Sequence, residues 1–263
     1  MAPIRVIVHG ATGRMGKETL AALGRDKETS PVGGVGRSAM GDALPLPAGA
    51  FVPYDTSLER LLSRCQADVV VDFTNAQACI AAARVSAARG LHFVTGTSGL
   101  SSTDLDTLRD LSRRHTIGII VGPSFAIGAI ILNHLARIAA PFFEYVDIFE
   151  AHHEAKIDAP SGTALALARA MATERAFKRP APEREPLSGT RGGDLSGVSI
   201  HSTRMPGRLA AHEVVFGMAG QTLSLKHDTL TRECFMPGVL MAVKEVVKRR
   251  DCVIGLESLL GLK

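Results

Sequence analysis

The sequence predicts an α/β fold, a doubly wound parallel sheet joined to a second α+β domain. Three observations carry this. Short, continuously apolar runs alternate with helix-like segments over the first half. A glycine-rich turn follows the first such run. The alternation then gives way, after about Ile127, to consecutive strand-like segments. Apolar strands separated by helices belong to parallel sheets covered on both faces, because a half-exposed strand would alternate instead.

The elements follow in order. Ile4–His9 is short, apolar and β-branched, hence a strand, and Met15–Leu23 reads as a helix. Val32–Val35 is a second strand, Leu58–Ser63 a helix and Val69–Phe73 a strand too apolar to face water. Ala76–Arg89 is an alanine-rich helix, followed by a strand at His92–Thr95, a helix at Leu105–Arg114 and a strand at Ile117–Val121. A helix through Arg137, a strand at Val146–Glu150 and a helix from Gly162 to Ala176 come next. The proline- and glycine-rich tract Lys178–Gly197 reads as loop, then Val198–Arg204, Glu213–Gly217 and Leu223–His227 as strands. Glu233–Arg250 is helical again.

Composition narrows the function classes. The 263 residues are 46% hydrophobic and 21% charged, ordinary for a globular protein, with no Trp and two Tyr, which disfavours an aromatic platform for nucleic acid or carbohydrate. The net charge of +4 is dispersed, so it steers anionic ligands rather than marking a nucleic-acid footprint. Cys65, Cys79, Cys234 and Cys252 fit neither a zinc site nor a disulfide framework, and free thiols in a reducing cytoplasm are expected. No signal peptide is read at the start. Thr116–Ala136 lacks Asp, Glu, Lys and Arg, but its Pro123, Ser124, Asn133, His134 and glycines suit a buried strand, a turn and a buried helix better than a membrane span.

Parallel sheets bind ligands at the carboxyl ends of their strands. Gly10-Ala11-Thr12-Gly13-Arg14-Met15-Gly16 stands there, between first strand and first helix. Glycines let the backbone approach a pyrophosphate, and the helix start offers free N–H groups. The spacing is G-x-x-G-x-x-G, and a βα turn without a ligand would satisfy it too. After the second strand come Gly36-Arg37-Ser38, where NAD-specific sites place a carboxylate for the ribose 2′-hydroxyl. A guanidinium without that carboxylate favours NADPH over NADH, although a surface arginine beside a turn looks the same. Gly96-Thr97-Ser98-Gly99 and Gly122-Pro123-Ser124-Phe125 end later strands, and their small residues would admit a nicotinamide ribose.

The strongest local pattern is Glu150-Ala151-His152-His153-Glu154-Ala155-Lys156, running on to Ser161-Gly162-Thr163. His152 and Lys156 share a face in either a strand or a helix, so both can serve proton transfer to an anion, while His153 points away in a strand. Ser161 suits a helix N-cap, with the N–H groups of Gly162 and Thr163 facing a carboxylate. A structural histidine, a metal cluster of Glu150, His152, His153 and Glu154, and a nucleophilic Ser161 compete. The cluster is not H-E-x-x-H and nothing resembles G-x-S-x-G, so no metal and no nucleophile are expected. His201, His212 and His227 default to structural roles.

Together these motifs resemble the 4-hydroxy-tetrahydrodipicolinate reductase (dihydrodipicolinate reductase) family of lysine and diaminopimelate biosynthesis. The resemblance rests on Gly10–Gly16, Asp72-Phe73-Thr74, Gly96–Gly99, Ser124–Gly128, Glu150–Thr163, Arg191-Gly192-Gly193, His212-Glu213, His227 and the C-terminal helix. It implies a Rossmann-type dinucleotide-binding domain over residues 1–125 and 233–263. It also implies a substrate-binding and tetramerisation domain with an open mixed sheet over 126–232, in a homotetramer. It implies Gly10, Ala11, Thr12, Gly13, Arg14 and Met15 on the pyrophosphate, and Arg37 at the adenosine ribose. Gly96, Thr97, Ser98, Gly122, Pro123, Ser124 and Phe125 would line the nicotinamide side. His152 would donate and accept the proton, Lys156 would donate one, and His153, Gly162 and Thr163 would bind substrate carboxylates. The cofactor would be NADPH, NADH or both. The family often carries an acidic residue at the place of Gly36 and Asn at that of Ser124. The competing readings are a reductase of another keto or imino acid and a non-catalytic NADPH-sensing module.

Overall fold

The computed structural model describes residues 2–46 and 49–262. The elements run β1 (Ile4–His9), α1 (Arg14–Arg25), β2 (Thr29–Val35), β3 (Ala43–Pro45), β4 (Phe51–Asp55), α2 (Leu58–Leu62), β5 (Val69–Asp72), α3 (Ala76–Ala88), β6 (His92–Thr95), α4 (Ser102–His115) and β7 (Ile119–Val121). They continue with α5 (Ile127–Ala139), β8 (Tyr145–His152), α6 (Gly162–Glu174), β9 (Gly193–Leu195), β10 (Val198–Arg204), β11 (Ala210–Met218), β12 (Gln221–Thr229), α7 (Met236–Val246) and β13 (Cys252–Ile254). Short 3₁₀ turns lie at Ala140–Phe142, Arg232–Phe235 and Ser258–Leu260. The chain divides into two compact units, residues up to 126 with those from 235 onward, and residues 127–234.

The first unit holds an eight-stranded sheet in the order β13-β7-β6-β5-β1-β2-β4-β3, parallel except for β3 against β4. Val6, Ile7 and Val8 of β1 and Val69, Val70 and Val71 of β5 are wholly buried, as apolar runs covered on both faces must be. Helices α2, α3 and α4 share one core with Ile7, Val70, Phe93 and Ile119. Helix α7 packs on α1 and on β5, β6 and β7, so the C-terminal helix completes this unit. Lys244 of α7 holds Asp26 and Glu28 at 2.8 and 2.7 Å. Strand β1 pairs with both β2 and β5, and the winding reverses between β1 and β5. The carboxyl ends of these two strands frame the crevice in which such sheets take ligands.

Four strands escape the sequence pattern. β3 and β4 occupy a stretch of turn residues, and Pro53 inside β4 argues against a strand, yet β4 lies one strand in from the edge, between β2 and the three-residue edge strand β3. β13 has three residues and lies just past Arg250, where the expected helix Glu233–Arg250 ends, and α7 itself stops at Val246. In the second unit β9 lies in the tract read as loop.

The second unit is a five-stranded mixed sheet, β12-β11-β8-β10-β9, with β10 parallel to β8 and the other pairs antiparallel. Helices α5 and α6 cover one face, burying Leu132, Ala136, Leu167 and Met171 against Val146, Ile148, Ile200, Val214 and Phe216. A side chain at Gly128 in α5 would collide with the His227 ring of β12, so glycine allows that close approach. The uncharged stretch from 116 to 136 resolves into β7, a turn and the start of α5. Among the described residues no helix is long and apolar enough to cross a membrane.

Candidate active site

In the first unit the glycine turn sits at the switch point. Gly10 adopts φ +86°, and a Cβ there would lie 2.6 Å from the Phe73 carbonyl oxygen. A Cβ at Gly16 would collide with the Gly10 carbonyl. Only glycines let the turn fold this tightly against α1 and the loop after β5. Gly13 caps α1 without any side-chain acceptor, whereas Ser57, Asn75, Ser101 and Ser161 cap α2, α3, α4 and α6. The first N–H groups of α1, on exposed Arg14 and half-buried Met15, are thus left for a ligand. This cradle fits a dinucleotide pyrophosphate. Ala11 is buried and Thr12 half-buried.

At the end of β2, Gly36 is buried and Arg37 exposed. A Cβ at Gly36 would collide with the Tyr54 hydroxyl and come within 3.0 Å of Thr12 Oγ1. The Tyr54 hydroxyl donates to the Ser38 carbonyl at 2.5 Å. The carboxylate absent from this position is therefore absent for lack of room, and the local cation is Arg37.

The loops after β6 and β7 meet on one aromatic wedge. Phe125 is 3% exposed and packs edge-on against Phe73 at 5.8 Å. Side chains at Gly96 or Gly122 would strike the Phe125 ring. Phe125 thus supports both loops from beneath, while Ser98 and Pro123 are exposed and Ser124 half-buried. The Ser124 hydroxyl accepts from Ala126 N–H at 3.3 Å.

In the second unit the sheet register assembles the titratable cluster. Residues two apart on a strand share a face, and Val146, Ile148, Glu150 and His152 of β8 all point inward. His212 on β11 lies opposite Glu150, and on β10 Ser202 lies opposite Glu150 and Arg204 opposite His152. One face thereby collects Glu150, His152, His212 and Arg204 beneath the start of α6. Glu150 is 2% exposed and receives His152 Nδ1 at 2.6 Å, Arg204 through a two-pronged fork at 3.0 and 2.8 Å, and Ser161 N–H at 3.1 Å. Burial pushes this carboxyl up, yet the Arg204, Ser202, His152 and Ser161 hydrogen bonds outweigh it and hold it at about 2.

His152 is 8% exposed. Burial lowers its pKa, Glu150 opposes that, and the cations of Lys156 and Arg204 add to the lowering. Because Glu150 is ionised, the shared proton sits on Nδ1 and Nε2 is left for a ligand. His212 stands edge-on to His152 at 5.3 Å, pairs through Nε2 with the Ser161 hydroxyl at 3.1 Å, and is lowered to about 4, first by burial and then by His152. Ser161 caps α6, accepting Ala164 N–H at 3.2 Å. The N–H groups of exposed Gly162 and half-buried Thr163, first in the helix, stay available to an anion.

Strand β8 ends at His152, so positions 154 and 156 do not continue its face. A turn closed by Lys156 N–H on the His153 carbonyl (3.1 Å) follows instead. Lys156 pairs with Asp158 at 2.7 Å, and its charge still reaches His152. His153 is half-buried in that turn.

Glu150, His152 and His212 bring ligand atoms within 4.8 Å of one another, close enough for a metal ion. Their chemistry argues otherwise, since both Glu150 oxygens are already engaged and the Arg204 guanidinium would repel a cation. From sequence alone Glu150 is only a candidate metal ligand, His212 only a structural histidine, and Arg204 carries no role. The alternation of His212 with Val214 and Phe216 marks an inward residue, but only the pairing of β11 with β8 shows what it faces.

Comparison with known proteins gives the family. Residues 4–125 match the family model "Dihydrodipicolinate reductase, N-terminus", and residues 128–260 match "Dihydrodipicolinate reductase, C-terminus". The chain is 47% identical to the 4-hydroxy-tetrahydrodipicolinate reductase of Dehalococcoides mccartyi strain 195, over 100% of both chains. It is 42% identical to the enzyme of that name from Syntrophomonas wolfei, over 97% of this chain and 98% of that one. A dipicolinate-bound dihydrodipicolinate reductase from Paenisporosarcina sp. TG-14 superposes with a TM-score of 0.87 at 34% identity, covering 97% and 99% of the two chains. With family models spanning both units and full-length relatives at this identity, the chain belongs to the dihydrodipicolinate reductase family.

Proposed function

We propose that this oxidoreductase reduces 4-hydroxy-tetrahydrodipicolinate to tetrahydrodipicolinate with NAD(P)H, a step of lysine and diaminopimelate biosynthesis. The single observation that carries the chemistry is the Glu150–His152 pair at 2.6 Å beside the capped start of α6. The first unit, with Gly10–Met15, Gly96–Ser98 and Gly122–Phe125, is the dinucleotide-binding domain, and residues 126–232 form the substrate domain.

The substrate first loses its 4-hydroxyl as water, which leaves a conjugated cyclic imine, and a bound dihydronicotinamide would supply the hydride that adds to the far end of that system. The protein's own residues do the rest. Gly162 and Thr163 N–H groups, with His153, bind and orient the substrate carboxylates. Lys156 exchanges Asp158 for one of them. His152 is neutral in the ligand-free site, and a bound dianion favours its protonated form. With Nδ1–H fixed on Glu150, Nε2 delivers the proton that quenches the charge developing on the ring, and Lys156 is the second donor. Arg37, without a carboxylate at position 36, suits the 2′-phosphate of NADPH.

A homotetramer fits the open sheet face opposite α5 and α6, where Tyr145 and Phe149 are 40% and 44% exposed. A cytoplasmic location fits four unpaired cysteines.

The test is consumption of NADPH and NADH with the condensation product of pyruvate and aspartate semialdehyde. Turnover is expected, and His152→Ala should lower it by about 10²–10⁴-fold while cofactor binding persists. NADPH binding without turnover would favour a sensor, and unchanged turnover in His152→Ala would remove His152 from the chemistry.

A further inference from the structure

Asp72 takes no part in the reaction just described, yet it is a wholly buried carboxylate at the end of β5. Its Oδ1 accepts from His9 Nδ1 and from the Thr74 hydroxyl, each at 2.7 Å. Its Oδ2 accepts from the hydroxyls of Thr95 at 2.9 Å and Thr97 at 2.6 Å. The hydroxyls pass the order outward. Thr95 Oγ1 accepts the Thr97 backbone N–H at 3.0 Å, and Thr97 Oγ1 accepts the Thr74 backbone N–H at 3.0 Å. Cys79 Sγ also donates to Thr95 Oγ1, at 3.3 Å.

Only an ionised carboxylate accepts four such donors at once. Burial alone pushes Asp72 up, but the bonds from His9, Thr97 and Thr74 hold it below the ordinary carboxylate range. A buried charge is costly and is not needed to close a valine sheet. What it does here is fix three loops together. His9 precedes the glycine turn, Thr74 follows β5, and Thr97 follows β6, all at the carboxyl ends where the winding reverses.

We propose that Asp72 is a positioning residue for the dinucleotide, orienting Thr74, Thr95 and Thr97 so that the loops after β1, β5 and β6 are set before the cofactor arrives. This rests on the reading of Gly10–Met15 and Gly96–Ser98 as the cofactor cradle. Pre-setting matters because any ordering left until binding is subtracted from affinity.

Thr95→Val is the sharpest variant, nearly isosteric and wholly buried, with Thr95→Ser as its rescue and Asp72→Asn beside them. In cofactor-free protein, hydrogen exchange of peptides covering residues 96–99 should quicken in Thr95→Val and Asp72→Asn and return to normal in Thr95→Ser. The dissociation constant and KM for NADPH should rise about 10-fold in the first two, the scale of one lost charge-assisted bond, while kcat at saturating NADPH changes less than about twofold. Unaltered exchange and NADPH affinity in Thr95→Val overturn the proposal, as does a lower Tm with affinity intact. Failure of the wild-type chain to bind NADPH would instead bring down the cradle reading, and this inference with it.

Discussion

The Glu150 carboxylate accepts the Nδ1 proton of His152 at 2.6 Å while the Arg204 guanidinium grips both carboxylate oxygens from the other side. The two contacts act in one direction. Arg204 keeps Glu150 ionised, and ionised Glu150 fixes which imidazole nitrogen faces outward.

Glu150→Gln tests that coupling. The amide retains size but loses the charge, and its NH₂ group competes for the histidine. Folding should survive, because Arg204 keeps the carbonyls of Thr203 and Asp158 as acceptors. Turnover should drop on the order of 10²-fold. Glu150 also raises the His152 pKa against burial. Without it, the limb of the rate profile on which activity falls as His152 deprotonates should move to lower pH. A limb that stays in place would separate Glu150 from His152.

His212 makes stability depend on acid. Its folded value of about 4 lies below the ordinary 6.5, chiefly from burial, so the unfolded chain binds its proton more readily. The contribution is complete above pH 6.5 and drains away as pH falls toward 4. At pH 5 it amounts to about 2 kcal/mol lost relative to neutral pH. Glu150, held at about 2 against 4.5, adds a second loss of the same sign below pH 4.5. Denaturant titrations of wild type and His212→Asn at pH 7.5 and 5 should show a flatter pH dependence in the variant. Parallel curves would contradict the assignment.

The doubly wound sheet was legible because continuous apolar strands such as Val69–Val71 leave parallel burial as the only economical choice. His152 and the Ser161 cap were legible because strand alternation and capping are local. Arg204 and His212 were not, since their place depends on β10 and β11 flanking β8 in one register among several that the pattern allows. The face sharing expected of His152 and Lys156 failed for a local reason, the turn after His152 that ends the strand. Gly36 read as a missing carboxylate, and only the Tyr54 hydroxyl behind it gives the steric cause.

That hydroxyl yields a prediction about cofactor choice. Arg37→Ala should raise KM for NADPH about 10-fold, the value of one charge-assisted contact, and leave KM for NADH nearly unchanged. Gly36→Asp alone should lower Tm, since its Cβ meets the Tyr54 hydroxyl and overpacking costs about 1–3 kcal/mol. Gly36→Asp with Tyr54→Phe removes the colliding oxygen and should regain stability while shifting preference toward NADH. Equal cofactor ratios in wild type and Arg37→Ala would sink the argument.

Ser161 joins the cluster to the anion site, and its variants can separate the two. Its hydroxyl caps α6 at Ala164 N–H and pairs with His212, while its own N–H reaches Glu150. Ser161→Ala removes the cap, at about 1 kcal/mol, and strips buried His212 of that partner, at a further cost of about 1–2 kcal/mol. A frayed first turn misplaces the Gly162 and Thr163 N–H groups, so KM for the dicarboxylate should rise while KM for NADPH holds. Ser161→Thr keeps the hydroxyl and should restore both stability and KM. Ser161→Asp also supplies a good cap, but it sets a negative charge where a carboxylate must bind. If α6 holds the substrate anion, Ser161→Asp should recover Tm relative to Ser161→Ala and yet bind the dicarboxylate still more weakly. Should KM simply follow Tm across the three variants, the start of α6 is structural and the substrate carboxylates lie elsewhere.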